Sequence, residues 1–240
     1  MTKIIGHRGA AGLALENSRS SLLAAVKQGV DMIEFDTRRT ADDHLVISHD
    51  PFTRRVAPES VVIREHSLAE LQALFMHNGE AFLSLDDALD IVGSTPVIIE
   101  LKDNGTVDEL LLVLARHPQA NVSVASFQHE ELHLLRRAIP EMPIYVLEHF
   151  SPLEIVQSAV RLNATGIGLN KWLMNPLTYR LARRYHLELY VYTVNNMVIA
   201  RFLRALYPHI HLCTNHPERF IKPKRLRSPR KIKRTATVKR

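Results

Sequence analysis

Cysteine is almost missing from this chain: Cys213 is the only one in 240 residues. One thiol closes no intrachain disulfide and builds no thiolate metal cluster, and such usage fits a reducing compartment. Long apolar runs are missing too. No segment reaches the ~18 apolar residues of a spanning helix, and M-T-K-I-I-G-H-R-G places no charged leader ahead of an apolar stretch. A soluble, cytoplasmic protein is therefore expected. There is also no G-x-G-x-x-G loop for a dinucleotide. The nearest approach, Gly166-Ile167-Gly168 in A-T-G-I-G-L, reads as strand or loop geometry.

What is present is ordinary for a globular protein: 46% apolar and 23% charged residues, enough to bury a full core. The net charge of +6 is unevenly spread. Residues 222–240 hold ten Lys or Arg and no Asp or Glu, so removing them leaves 1–221 at about −4. A mildly acidic body is not what a basic nucleic-acid-binding fold looks like. The tail has no apolar periodicity and is expected to be disordered. It can touch anionic membrane or nucleic acid weakly, but a solubilising tail is the simpler reading. No specific protein partner is inferred.

Along 1–221, short β-type runs alternate with helical runs. Strands are expected at 4–6, 30–36, 96–102, 121–127, 143–147, 164–169, 187–194 and 209–213, with an additional short one at 45–48. Helices are expected at 18–28, 67–76, 85–92, 106–116, 129–138, 153–161, 176–185 and 196–205, the first capped by Asn17 or Ser18 and closed by Gly29. Eight core strands with intervening helices, and no linker before residue 222, predict an α/β fold of the closed (β/α)8 barrel type. A doubly wound open sheet uses fewer strands.

Barrel sites gather at the carboxyl ends of strands, and the polar residues fall there. His7 and Arg8 follow the first core strand, Glu34 and Asp36 end the second, and Glu100 and Lys102 end the third. Ser126 follows the fourth, Thr193 and Asn195 the seventh, and Asn215 the eighth. Residues two apart on a strand share a face, so Glu34 and Asp36 crowd each other unless a cation or a shared proton separates them. A hard divalent ion held by oxygen ligands resolves that, with Glu100 as a third carboxylate. His7 beside Arg8, and His49 beside Asp50, offer proton transfer near neutral pH next to a guanidinium suited to phosphate. Most of the 13 histidines read as surface or helix residues. The residues alone leave two reactions open: metal-assisted phosphoryl hydrolysis, which they favour, and a lyase or isomerase working through an enolate.

The ordered strings H-R-G, E-N-S at 16–18, G-V-D-M-I-E-F-D at 29–36 and T-A-D-D-H-L-V-I-S-H-D from 40 resemble the glycerophosphodiester phosphodiesterase family. I-I-E-L-K at 98–102, S-F at 126–127 and Y-T-V-N at 192–195 extend the likeness to about Phe220. The resemblance implies one catalytic barrel domain over 1–221 with a small insertion at about 50–84. It implies a divalent cation, Mg²⁺ or Ca²⁺, on Glu34, Asp36 and Glu100, with His7 and His49 as general base and general acid. Arg8 and Lys102 would contact phosphate, while Glu16, Asn17, Asp50, Tyr192, Asn195 and Asn215 support the site. The implied reaction converts a small glycerophosphodiester to glycerol 3-phosphate and an alcohol.

Two departures from the family pattern stand out. Tyr192 occupies a position where tryptophan is common, and Asn215 one where aspartate is usual. Two other readings share these residues: a lysophospholipase D-type hydrolase acting at a membrane, and a non-catalytic phosphate- or polyanion-binding barrel.

Overall fold

The structure is a computed structural model that describes residues 2–148 and 151–221. The basic tail at 222–240 lies outside the described residues. The chain runs β1 (Ile4–His7), α1 (Arg19–Gln28), β2 (Met32–Arg39), β3 (Leu45–Ile47), α2 (Leu68–Ala73) and α3 (Leu85–Val92). It continues through β4 (Val97–Leu101), α4 (Val107–Arg116), β5 (Val122–Ser126), α5 (His129–Ala138), β6 (Ile144–Leu147) and α6 (Pro152–Arg161). The last elements are β7 (Gly166–Asn170), α7 (Pro176–Arg184), β8 (Glu188–Tyr192), α8 (Met197–Leu206) and β9 (His211–Thr214). Eight strands pair in parallel in the order β1-β9-β8-β7-β6-β5-β4-β2, and β1 pairs again with β2 to close the ring. This is a (β/α)8 barrel with β3 added antiparallel to the outer end of β2.

Period-two alternation divides the strand side chains between two apolar compartments. Ile4, Ile33, Phe35, Ile99, Val124, Val146, Ile167, Val191 and Leu212 belong to the cluster that packs the strands against the helices. Their neighbours Ile5, Met32, Ile98, Ala125, Tyr145, Leu147, Tyr190 and Cys213 form the second cluster, inside the ring. Tyr145 and Tyr190 meet edge to face there, with centroids 5.5 Å apart. Space for them comes from β7. A Cβ on Gly166 would sit 2.3 Å from the Glu188 carbonyl oxygen, and one on Gly168 2.4 Å from Tyr190 Cζ. The G-I-G string is thus strand geometry, as its setting suggested.

The helices start and stop where local chemistry directs. Ser18 caps α1 in a capping box with Ser21, and Gly29 ends it in the left-handed region at φ 71°. Asn17 leaves the capping role to Ser18. Helix α2 is shorter than its apolar pattern predicts. It stops at Ala73 because Met76 must turn into a third cluster with Val46, Val56, Ile63, Leu71 and Phe82. The Met76 N–H donates to the Glu80 carbonyl, and Gly79 at φ 79° makes that turn. Strand β2 is longer than expected because its last residues pair with β3. The cluster under β3 and α2 forms the core of the segment inserted between β2 and α3.

The amino end of the barrel is tied by a polar knot. The Lys3 N–H donates to His211 Nδ1, so Nε2 carries the hydrogen that faces Glu188 Oε2 at 3.4 Å. Tyr145 Oη donates to the same carboxylate at 2.7 Å, and Lys3 Nζ lies 3.5 Å away. The bond from His211, then those from Tyr145 and Lys3, outweigh burial and hold the Glu188 carboxyl down at about 2. A depressed carboxyl adds stability that is complete above its unfolded value and is lost as pH falls through the folded one. The melting-temperature deficit of Glu188→Gln relative to wild type should therefore shrink as pH falls from above 4.5 towards about 2. A deficit that stayed constant over that range would contradict this account. Gly166→Ala should destabilise by roughly 1–3 kcal/mol in denaturant unfolding, the usual range for overpacking, because a backbone oxygen blocks the new methyl. A neutral result would show that β7 can move.

Candidate active site

The inward register that fills the barrel with Ile5, Met32 and Ile98 continues two residues along each strand to His7, Glu34 and Glu100, and then to Asp36 and Lys102. Pairing places His7 opposite Glu34, and Asp36 opposite Glu100. Oxygen atoms of Glu34, Asp36 and Glu100 come within 4.8 Å of one another, and all three residues are buried. Tyr190 and Cys213 line the cavity above the apolar plug, whose volume is about 450 Å³. Burial and the nearby Glu34 charge push the Cys213 thiol up, so it stays a neutral wall.

Three negative charges in a dry site demand compensation. Lys102 Nζ lies 2.6 Å from Glu100 and 3.1 Å from Asp36. Arg8 Nε lies 3.2 Å from Asp36, and the Arg8 N–H donates to Glu34 Oε2 at 2.9 Å. Asn17 Nδ2 also donates to Asp36, at 2.9 Å. Burial opposes ionisation of Asp36, yet Lys102 and Arg8 hold its carboxyl well below the ordinary range. Two cations leave one charge over. Burial and the neighbouring Asp36 accordingly push Glu34 well up and Glu100 to about 7. An all-oxygen donor set with unbalanced negative charge fits a hard divalent cation.

The two histidines are held differently. His7 Nδ1 lies 2.6 Å from Asn215 Oδ1, an acceptor, so it carries the hydrogen and leaves Nε2 free to accept a proton. Burial first, and the Arg8 charge second, lower His7 to about 4. Asn195 fixes Asn215: its Oδ1 accepts from the Asn215 N–H at 2.9 Å and from Thr214 Oγ1 at 3.2 Å. Asn215 thus keeps the orienting bond that an aspartate would make but supplies no charge. His49 Nδ1 instead faces a carboxylate, Asp50, at 2.7 Å. Burial lowers His49, with Lys102 and Arg8 assisting and Asp36 opposing.

All the residues singled out from the sequence fall around this cavity or directly behind it, except Ser126. That hydroxyl is buried, donates to the Leu101 carbonyl at 2.7 Å and accepts from the Gln128 N–H. Glu16 accepts from Arg8 Nη1 at 2.7 Å. Thr193 and Tyr192 line the wall. His44, His117 and His129 bond to Glu109, Asp86 and the Leu147 carbonyl, and none of the three lines the cavity.

Sequence reading missed several participants. Arg55 bonds to Asp50 through Nε at 2.7 Å and to both Glu16 oxygens, at 2.5 and 2.7 Å, joining the partner of His49 to the partner of Arg8. Arg38 clasps the His49 carbonyl through Nε and Nη2, at 3.0 and 2.8 Å. Phe127, Glu148 and Trp172 line the cavity mouth. Trp172 was discoverable, since the only tryptophan of the chain lies two residues past a core strand. Nothing local distinguishes Arg55 from its neighbour Arg54.

Comparison with known proteins agrees with this arrangement. The Bacillus subtilis protein YhdW is 30% identical over 235 residues, covering 91% of this chain and 96% of its own length. A glycerophosphodiester phosphodiesterase of the same organism is 27% identical, covering 92% and 86%. Among solved structures, an Oleispira antarctica phosphodiesterase bound to sn-glycerol-3-phosphate superposes with a TM-score of 0.84 at 22% identity, covering 91% of this chain and 95% of that one. A glycerophosphodiester phosphodiesterase from Agrobacterium tumefaciens gives 0.78 at 25% identity, covering 92% and 99%. Residues 7–219, which run from the first histidine past Asn215, match the glycerophosphoryl diester phosphodiesterase family, and the chain belongs to that family.

Proposed function

We propose that the protein hydrolyses small glycerophosphodiesters to glycerol 3-phosphate and an alcohol. The observation that carries this reading is the convergence on one cavity of His7, His49, Arg8, Lys102 and the Glu34–Asp36–Glu100 cluster. The sn-glycerol-3-phosphate held by the Oleispira antarctica relative supports the same product class. A binding protein would need the cations but not two histidines with separately held Nδ1 atoms.

Glu34, Asp36 and Glu100 would hold one divalent cation, Mg²⁺ or Ca²⁺, which when bound supplies positive charge to the phosphoryl oxygens. Arg8 and Lys102 add fixed charge to the same oxygens. His7, neutral with Nε2 free, takes the proton of the glycerol 2-hydroxyl. That oxygen attacks phosphorus, the bond to the alcohol oxygen breaks, and His49 gives its proton to the leaving oxygen. Asp50 favours the charged imidazole that this donation requires. In the second half, His49 takes a proton from water, the resulting hydroxide opens the cyclic phosphate, and His7 returns its proton to the 2-oxygen. Arg55 and Arg38 keep the loop carrying His49 in place.

Three outcomes follow. Chelation should abolish release of glycerol 3-phosphate from glycerophosphocholine, and Mg²⁺ or Ca²⁺ should restore it; no release from folded, metal-supplied protein would favour the binding-protein reading. His7→Ala and His49→Ala should each cut turnover at least ~10²-fold, the lower range for a positioned acid or base. A diester with a p-nitrophenol leaving group, which departs without a proton, should recover much of the loss in His49→Ala and little in His7→Ala. Recovery in the opposite variant would reverse the two roles.

A further inference from the structure

Helices α7 and α8 carry no Asp or Glu, yet hold Arg180, Arg183, Arg184, Arg201 and Arg204, all exposed. Among the described residues none of the five has an ion-pair partner. Directly across the ring, α3 and α4 carry Asp86, Asp87, Asp90, Asp108 and Glu109 against the single Arg116. The barrel is therefore electrically lopsided, with its positive side on α7 and α8.

That positive side is also apolar. On α8, Val198, Phe202 and Leu206 recur at i, i+4 and i+8 and form one stripe. They are 72%, 63% and 51% exposed, high for large apolar side chains. Helix α7 adjoins α8 through Tyr179, which packs on Tyr207 with centroids 5.3 Å apart and donates to the Pro208 carbonyl. On the opposite flank, Arg201 and Arg204 share a depression with Thr2. At the end of this face nearest the cavity mouth, Leu177 is exposed and Trp172 is 76% exposed, with Lys171 Nζ 5.2 Å from its ring. The described chain ends beside the same face: Arg219 Nη1 donates to the carbonyl of Asn195, just ahead of the α8 cap Asn196. The ten basic residues of 222–240 follow directly in sequence.

We propose that the α7–α8 face docks on an anionic lipid bilayer, with Val198, Phe202, Leu206 and Trp172 entering the interface and the arginines meeting the headgroups. Apolar side chains flanked by Arg, with a tryptophan at the edge, are the composition of an interfacial membrane-binding surface. A nucleic-acid surface would leave Val198, Phe202 and Leu206 without a purpose. This orientation sets the barrel mouth beside the bilayer, next to Trp172. The docking does not depend on the reaction proposed for the cavity.

Trp172 is the chain's only tryptophan, so its emission reports on this face alone. The full chain would be mixed with phosphatidylcholine vesicles, with vesicles that also contain phosphatidylglycerol, with acyl-brominated versions of the latter, and with poly(U). Wild type should sediment with the phosphatidylglycerol vesicles, shift its emission to the blue and be quenched by the brominated lipid. The triple variant Val198→Ser, Phe202→Ser, Leu206→Ser keeps the tail and all five arginines. It should bind those vesicles at least ~10-fold more weakly while keeping its melting temperature and its turnover of a soluble diester. The proposal is overturned by absence of wild-type sedimentation, by wild-type-like binding of the variant, or by binding to poly(U) with no quenching by brominated lipid. If the variant melts early, bromine quenching in wild type still decides the question.

Discussion

Repulsion among Glu34, Asp36 and Glu100 is the constraint around which the rest of the mouth is arranged. All three carboxylate residues are buried on β2 and β4, where unbalanced charge is costly. Lys102 and Arg8 are drawn in as partial compensation, and Asn17 gives up a capping role to donate to Asp36. Arg8 is then held by Glu16, Glu16 by Arg55, and Arg55 by the aspartate that orients His49. One chain of charges thus connects the carboxylates to His49 on the far loop. The remaining negative charge is what makes the cluster suited to a cation.

The barrel supplies this arrangement through simple geometry. Alternation sends one set of strand side chains outward against the helices and the other into the ring. Continuing the inward set by two residues turns an apolar plug into a polar floor. The left-handed backbone at Arg8 and Asn17, at φ 50° and 52°, lets the first loop fold back over β2. The insertion after β2 then contributes Asp50 and Arg55 from a core of its own, so the site is shared between two packed clusters.

Much of this was legible in the sequence because it depends on local pattern. Eight apolar runs with polar ends set out the barrel, and the i, i+2 spacing of Glu34 and Asp36 put both on one face. His7 and His49 stood out because each is next to a charged residue. What escaped was set by distant contacts. Arg55 joins Asp50 to Glu16, which lies 39 residues away, and Arg38 holds the carbonyl of His49. The early end of α2 reflects where Met76 must go, which no helical periodicity encodes. On α8 the sequence pattern gave only a helix at 196–205. Only its exposure, and the acid-free α7 beside it, set it apart from a core-packing face.

The central claim is that three buried carboxylates hold one divalent ion between the two histidines. Titration calorimetry of Mg²⁺ or Ca²⁺ into metal-free protein tests it most directly. The account predicts one ion per chain in wild type and none in the Glu34→Gln, Glu100→Gln double variant, with both proteins folded. A wild-type protein that binds neither ion, or a double variant that binds as wild type does, would contradict it.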